Sequence, residues 1–291
     1  TLAETGVLGM TASEEAGGMD MQALDFVLPL EETGYAALPG PVVETLAGIP
    51  LLEAVGTDAQ KDRFLPAVVS GQAKLAVAFD GQAVLPHASV ADVVLVQRAD
   101  SAFCVPAAEL RSTSEQSVDR TRGLARIAEA QNEAHQTRTD VDVTSAFAAA
   151  RERATLAVAA QLIGLSRRML DMTVEYAKDR VQFGKPIGAQ QAVKHRLANA
   201  LIQQEFARPQ VYRAAWALST GQSDAEVLVS MAKIYAGEAA KFVAKECLQV
   251  HGAIGYTIEC DLHMWMKRAW ALAASYGDAA HHRARVGRHI L

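Results

Sequence analysis

The sequence has little of what marks several protein classes. Its 291 residues include only three cysteines, Cys104, Cys247 and Cys260, which are too scattered for a disulfide framework and suit a reducing compartment. No apolar run approaches the roughly 20 residues that a transmembrane helix needs. Neither sign of charge predominates, with 28 Lys and Arg against 33 Asp and Glu, which argues against a nucleic-acid-binding surface. The sequence therefore predicts a globular protein with no membrane span and no nucleic-acid partner.

The residues that are present support a folded, intracellular protein. Half of them are hydrophobic, which is too many for a disordered chain. The chain opens at Thr1 with no initiator methionine and with no basic segment leading into an apolar stretch, so we expect a trimmed N-terminus rather than a signal peptide. Together with the low cysteine content, this predicts a cytoplasmic location.

The character of the sequence changes twice along the chain. Residues 1–73 read as helices broken by glycine and proline, as at Pro39-Gly40-Pro41. Residues 74–143 predict a small β domain, because short segments rich in valine, alanine and aromatics alternate with polar turns. The predicted strands are 75–79, 92–97 and 102–106, and 124–130 is a candidate to continue the sheet.

Residues 144–291 predict a bundle of four long helices. Apolar residues recur every three or four positions, as on the buried stripe of a helix; in the first helix these are Leu162, Leu165, Met169 and Met172. Segment 180–188, which contains Pro186, interrupts this pattern. Ser223 and Glu226 predict a capping box at the start of the third helix, and Gly277 is a possible break in the fourth. Long helices joined by short turns favour an antiparallel bundle.

Two segments of this region resemble those of a known family. Segment 180–187 (RVQFGKPI), followed by Gln190 and Gln191, is similar to the R-x-x-F-G-x-x-I…Q motif of the acyl-CoA dehydrogenase family. Segment 249–256 (QVHGAIGY) is similar to the family's Q-x-x-G-G-x-G-[FY] motif, with Ala253 in place of the second glycine. The resemblance implies an α+β fold with N-terminal helices, a small reduced β domain and a C-terminal four-helix bundle.

The resemblance also implies that the chain contacts FAD. In the family both motifs hold the ADP half of a flavin that belongs mainly to a neighbouring subunit. The matching positions are Arg180, Gln182, Phe183, Gln249, Gly252 and Gly255. A diphosphate needs a fixed cation and closely approaching backbone N–H groups, which an arginine and glycines supply. Taken singly, Arg180 is better interpreted as a solvated cation and Gly252 as a helix C-cap, but the two motifs in this order favour flavin contact.

The positions of the family's catalytic base carry no carboxylate. In the family a Glu removes the α-proton of the acyl thioester. One known position of this Glu falls on Tyr276 and the other on Ala154. A tyrosine, with an ordinary pKa of about 10, is a poor base near neutral pH. Segment 79–84 also lacks the Thr and Ser hydroxyls that line the flavin ring in the family.

These departures predict a division of labour between two subunits. The chain resembles the smaller subunit of the α2β2 acyl-CoA dehydrogenases of steroid side-chain degradation, in which a larger subunit carries the base. The complex would oxidise a bulky acyl-CoA and pass electrons to an acceptor. Two alternatives remain open. One is a homo-oligomeric dehydrogenase with a relocated base, Glu152 or Asp278, and the other is a structural bundle without flavin.

Two further clusters allow other interpretations. Cys247, His251, Cys260 and His263 have the residue types of a zinc site, but His251 lies inside the flavin-like motif and ordinary buried side chains are the favoured interpretation. A basic C-terminal cluster could bind phosphates or an acidic partner, although a solvated helix end is favoured. This cluster comprises His281, His282, Arg283, Arg285, Arg288 and His289, and Lys267 and Arg268 have the same two interpretations.

Overall fold

The computed structural model describes residues 2–128 and 132–291 as a mainly helical chain with three small sheets. The helices are α1 (Ala23–Tyr35), α2 (Val42–Val55), α3 (Asp58–Val69), α4 (Val143–Asp179), α5 (Gln191–Ser219), α6 (Ala225–His251), α7 (Leu262–Ala274) and α8 (Ala279–Ile290). The strands are β1 (Leu75–Ala78), β2 (Val93–Arg98), β3 (Ser101–Pro106), β4 (Ser112–Ser114), β5 (Ala125–Ile127), β6 (Val181–Gln182) and β7 (Lys185–Pro186). In the described part of the chain, no helix is both long enough and apolar enough to cross a bilayer.

The contacts divide the chain into two compact units. The first comprises the described residues up to Gln22 and Pro39–Ala154, and the second comprises Ala23–Leu38 and Thr155–Leu291. Helix α4 contributes its first twelve residues to the first unit and the remainder to the second. Helix α1 belongs to the unit of the C-terminal helices, so the second unit is not continuous in sequence. The division of the chain at residues 73 and 143 stays a prediction.

A three-stranded sheet lies in the first unit, at the predicted positions. Strand β1 pairs in parallel with β2, and β3 pairs with β2 in antiparallel register. All four residues of β1 are buried, as expected of a strand covered on both faces. Strands β4 and β5 form a separate pair. The predicted extension at 124–130 is a strand only over Ala125–Ile127, and its last two residues lie outside the described part of the chain.

Helix α2 is the element that the sequence patterns did not reveal. Eleven of its fourteen residues are buried, on all sides of the helix, so it has no polar face to produce a helical period. It packs on β1 at Gly48, where a Cβ would lie 1.9 Å from the Cδ2 atom of Leu75. The next helix, α3, begins with a capping box between Thr57 and Gln60.

The second unit contains the predicted C-terminal helices, with two differences. The fourth helical stretch is divided into α7 and α8, which are separated by the turn that contains Gly277. The capping box predicted from Ser223 and Glu226 is wrong: α6 begins after Asp224 without a side-chain cap, and the Glu226 carboxylate instead accepts a 2.7 Å hydrogen bond from Arg285 on α8. The predicted α+β class, with N-terminal helices, a small sheet region and a C-terminal helical domain, is confirmed.

Helices α1 and α4 cross in direct backbone contact within this unit. A Cβ at Gly164 of α4 would lie 1.8 Å from the backbone oxygen of Glu31, and one at Gly34 of α1 would lie 2.1 Å from the backbone oxygen of Gln161. Two glycines, one on each helix, therefore permit the crossing. Because the atoms opposite them are backbone, a side chain could be accommodated only by separating the helices.

We predict that Gly164→Ala lowers the free energy of unfolding by about 2–3 kcal/mol, because an overpacked contact against backbone cannot relax locally. The matched control is Gly237→Ala on α6, where the nearest atom to a Cβ is 3.8 Å away. Since alanine favours the helix over glycine by roughly 0.5–1 kcal/mol, this control should be neutral or slightly stabilising. Urea denaturation of both variants measures the difference, and equal effects would refute the close crossing.

Candidate functional site

The first family-like segment forms a tight hairpin between α4 and α5. The backbone N–H of Arg180 donates to Tyr176 and prolongs the last turn of α4, and its carbonyl accepts from Ile187. Strands β6 and β7 pair on either side of a two-residue turn, Phe183-Gly184. Both turn residues have positive φ, 52° and 75°, as in a type I′ turn. The hairpin therefore closes with a phenylalanine in a conformation that favours glycine or asparagine.

The side chains of this hairpin project into solvent. Phe183 is 95% exposed, which is unusual for a large aromatic residue. Arg180 is also exposed, and no residue of the described chain forms a hydrogen bond or an ion pair with its guanidinium. The Gln182 amide nitrogen donates to the Val181 carbonyl at 2.8 Å. The hairpin thus presents a cation and an aromatic ring that have no partner within the described chain.

The second segment forms the turn that ends α6. Gly252 is the C-cap of this helix, with φ 64° and ψ −139°, a conformation essentially restricted to glycine. No other residue in the described part of the chain comes within 4 Å of the position that a Cβ would occupy there, so its backbone is open on that side. Gly255 is buried, and a Cβ there would lie 2.9 Å from Leu248, so this glycine serves close packing. Gln249 is exposed on the last turn of the helix.

An aromatic contact holds the two segments together. The ring of Tyr176, one turn before Arg180, stacks on the ring of His251 with centroids 4.4 Å apart. Its hydroxyl donates to the His251 carbonyl at 3.4 Å, and the His251 Nδ1 atom donates to Cys247 at 2.9 Å. Burial lowers the pKa of His251, which keeps the ring neutral near neutral pH. Sequence analysis did not identify this pair. The one signal available for it was an aromatic residue, Tyr176, four positions before the motif arginine.

Ala154, one of the expected base positions, and the alternative bases Glu152 and Asp278 lie in different environments. Ala154 is 1% exposed and lies on α4. Glu152, one of the alternative bases, is also buried on α4. The other alternative, Asp278, is exposed and is the N-cap of α8, accepting a 2.9 Å hydrogen bond from His281. That hydrogen bond lowers the pKa of Asp278, so its carboxylate is a weaker base than usual.

Tyr276 occupies a firmly held turn between α7 and α8, where its φ is 54°. The buried ammonium of Lys233 donates to the carbonyls of Ala273 and Gly277 at 2.9 and 3.0 Å. The ring of His282, also buried, lies 3.2 Å from both the Ser230 hydroxyl and the Tyr276 carbonyl. These contacts fix the backbone of the turn around Tyr276 from two sides.

Segment 79–84 begins with a buried aromatic residue. The Phe79 ring is buried and packs edge-on against Phe147, with centroids 6.0 Å apart. The guanidinium of Arg151 lies over the other part of this ring, 4.7 Å from its centroid. The backbone N–H of Asp80 donates to Gln97 at 3.3 Å. Phe79 thus serves the core of the first unit, whereas Asp80, Gly81 and Ala83 are exposed.

The cysteines and histidines do not form a metal site. The Cys247 thiol donates to the Met169 carbonyl at 3.4 Å, and burial raises the pKa of this thiol to about 12. Cys104 is likewise buried, with its pKa raised to about 12. Within residues 2–128 and 132–291, no group of three His, Cys, Asp or Glu side chains is placed to hold a metal ion.

Part of the basic C-terminal cluster is used within the second unit. Arg283 pairs with Glu238, and Arg285 pairs with Glu226 at 2.7 Å. Burial and the nearby Lys233 lower the pKa of His282 to about 4. The remaining members, His281, Arg288 and His289, are exposed. In α7, the Arg268 side chain donates to the Leu38 carbonyl at 2.9 Å. Arg268, Arg283 and Arg285 are therefore used in contacts within the second unit.

Comparison with known proteins gives the same family for both ends of the chain. The acyl-CoA dehydrogenase C-terminal domain matches residues 142–291, and the acyl-CoA dehydrogenase N-terminal domain matches residues 1–72. Acyl-CoA dehydrogenase IpdE2 of Mycobacterium tuberculosis is 33% identical over 267 residues, which cover 91% of this chain and 77% of that protein. IpdE2 of Mycolicibacterium smegmatis is 32% identical over 94% of this chain and 81% of its own length.

Solved structures agree with the sequence matches. A variant of the Tcur3481-Tcur3483 steroid ACAD superposes with a TM-score of 0.86 and 27% identity, over 99% of this chain and 86% of that one. The ChsE4-ChsE5 complex of Mycobacterium tuberculosis gives a TM-score of 0.86 and 26% identity over the same shares. With the two domain matches and the IpdE2 relatives, these findings establish that the chain belongs to the acyl-CoA dehydrogenase family.

Proposed function

We propose that this chain is a non-catalytic, FAD-contacting subunit of a heteromeric acyl-CoA dehydrogenase. The complex forms an α,β double bond in a bulky, steroid-derived acyl-CoA and passes the electrons to an acceptor protein. A larger acyl-CoA dehydrogenase subunit carries the base, in an α2β2 arrangement. The observation that carries this proposal is the absence of a carboxylate at Ala154 and Tyr276, together with the unpaired cation and the exposed aromatic ring of the hairpin.

Neither of the alternative bases, Asp278 and Glu152, takes the position of the missing Glu. Asp278 has a structural role as the cap of α8, and its lowered pKa opposes a role as a base. Glu152 lies two residues before Ala154, a rotation of about 200° around the helix axis, so the two side chains leave α4 in different directions. A base must first satisfy geometry, and neither residue replaces the missing Glu in place.

The hairpin and the glycine turn suit the ADP half of FAD. Arg180 is an exposed guanidinium that can form paired hydrogen bonds with a diphosphate. Phe183 offers an open ring face for stacking, and the open backbone at Gly252 permits close approach of a ligand. Gln182 and Gln249 flank these groups with amides, and Gly255 lets the turn pack closely. When bound, FAD supplies the acceptor for the hydride.

The role of this chain in the reaction is therefore to bind and orient. Arg180 neutralises phosphate charge, and the rigid turn holds Phe183 in place before the ligand arrives, which reduces the entropy that binding costs. The Tyr176–His251 stack fixes the distance between the hairpin and the glycine turn. Substrate class and partnership rest on similarity to proteins described as a steroid ACAD and as a two-protein complex.

We expect Arg180→Ala to lower the FAD content of the purified complex, with flavin affinity falling roughly 10- to 100-fold, because a charge-assisted pair contributes about 1.5–3 kcal/mol. The matched control is Lys185→Ala, which removes an exposed cation from the same hairpin outside the motif positions. Flavin absorbance per complex and the circular dichroism of the helices are the measurements. If flavin content is unchanged in Arg180→Ala, the chain is a structural bundle without flavin contact.

The second candidate function is a self-sufficient dehydrogenase that uses Glu152, and the burial of this carboxylate is the observation in its favour. Our proposal predicts that the chain purified alone is colourless and does not turn over acyl-CoA. It also predicts that Glu152→Gln changes the turnover of the complex by no more than about twofold, like the exposed control Glu175→Gln on the same helix. A yellow, active homo-oligomer that Glu152→Gln inactivates would establish the second candidate instead.

A further inference from the structure

A cavity of about 650 Å³ lies in the second unit, beside the Tyr176–His251 stack. Its walls come from the end of α1, the second half of α4 and the turn that follows α6. This volume is in the range of sites that bind small molecules. We call it the α4 cavity, after the helix that contributes Arg168, Asp171 and Met172 to its wall. The proposed function gives this cavity no role.

His251 brings an unused hydrogen-bond acceptor to the wall of the α4 cavity. The residue is only 6% exposed, and its Nδ1 atom faces the Cys247 carbonyl at 2.9 Å. Because a carbonyl can only accept, the ring proton lies on Nδ1 and the Nε2 atom carries a lone pair. No residue of the described chain donates to Nε2, and this atom is not sealed from solvent, so it can be reached from the cavity. A ligand that donates a hydrogen bond would satisfy it.

The other ionised groups around the α4 cavity are mainly carboxylates. Among the described residues that line it, Asp171, Glu175 and Glu259 are acidic and Arg168 is the one lysine or arginine. Glu175 is paired with Lys178 on the outer surface of α4, at 2.7 Å. Asp171, in contrast, has no hydrogen bond and no ion pair within the described chain. The lining therefore carries an excess of negative charge and at least one carboxylate that is available to a ligand.

The guanidinium of Arg168 is already used in packing against aromatic rings. It lies 5.4 Å from the ring centroid of Tyr35 and 5.5 Å from that of Trp265, as in cation–π contacts. Its Nη1 atom donates to the Tyr35 hydroxyl at 3.5 Å, and the Trp265 indole N–H donates to the Tyr35 carbonyl at 2.8 Å. Arg168 therefore joins α1, α4 and α7, whereas the Asp171 carboxylate and the His251 Nε2 atom remain available.

These groups define the chemical class of a ligand for the α4 cavity. A phosphate or a carboxylate would meet several carboxylates and a nitrogen lone pair, so like charge and the lack of donors oppose an anion. A protonated amine has donors only, and it is attracted to the same groups. Met172, Val174 and Ile254 also line the cavity, and they suit the hydrocarbon part of a ligand. An amine cation with an apolar body satisfies both kinds of wall.

We propose that the α4 cavity binds a small amphipathic amine, whose ammonium group donates to the Nε2 atom of His251 and lies near the Asp171 carboxylate. The apolar body of the amine packs against Met172 and Ile254. This site goes beyond the proposed function and does not rest on it, because none of its ligand groups is one of the proposed flavin contacts. Since the ligand binds the folded chain, it should also raise the melting temperature.

The test compares three probes of similar size with the full chain: 2-phenylethylamine, the neutral 2-phenylethanol and the anionic 3-phenylpropionate. We expect the amine to bind at least about tenfold more tightly than the alcohol, because a charge-assisted hydrogen bond to Nε2 adds to the apolar contact, and the anion to bind most weakly. Calorimetry measures the affinities, and the NMR signals of the His251 ring should shift only with the amine. Equal affinities for the three probes would overturn the proposal.

Two variants locate the amine in the cavity. Asp171→Asn should weaken binding of 2-phenylethylamine roughly three- to tenfold, whereas the control Asp179→Asn, at an exposed position of the same helix outside the cavity, should leave it unchanged. His251→Phe keeps a ring for the Tyr176 stack and removes the acceptor, so it should abolish the preference for the amine over the alcohol. Equal binding by the two Asn variants would refute the site, and this comparison decides even if His251→Phe does not fold.

Discussion

The stack of Tyr176 on His251 is the contact on which the candidate site depends. One residue lies in the last turn of α4 and the other is the last residue of α6, so their rings fix the ends of two long helices against each other. Each of these ends continues directly into a family-like segment. The lowered pKa of the buried His251 keeps the ring neutral, so the contact does not change its charge near neutral pH. The hairpin and the glycine turn are thereby held at a fixed spacing before any ligand binds.

The turn that contains Tyr276 is held in place by buried polar side chains. A buried lysine is costly unless its donors are satisfied, and the Lys233 ammonium is satisfied by two carbonyls around this turn. His282 stays neutral beside it, with a pKa of about 4, which avoids a second buried positive charge. The turn is therefore held by specific polar contacts. The one acidic side chain of the turn, Asp278, is used as the N-cap of α8.

Sequence reasoning succeeded where one physical signal was sufficient. The alternation of valine-rich segments with polar turns located β1, β2 and β3, and the apolar period located α4, because in each case one face differs from the other. It failed for α2, which is apolar on all sides and so has no period. The capping box at Ser223 failed because Glu226 is used in a tertiary ion pair with Arg285, which no local pattern reveals. The Tyr176–His251 contact joins residues 75 positions apart, and only the fold brings them together.

The candidate site was only partly predictable from the sequence, because contacts that only the fold creates leave no local pattern. The motif residues could be identified individually, but their exposure could not, and exposure is what gives them meaning. A buried Phe183 would have been a core residue, whereas the observed Phe183 is 95% exposed on a turn with positive φ and contributes nothing to a core. Arg180 likewise gains significance because no described residue pairs with it, unlike Arg283 and Arg285. Cations that pair within the fold therefore serve packing, whereas exposed cations without a described partner are candidates for binding. The exposed cations lie near the exposed apolar residues of the hairpin and α5.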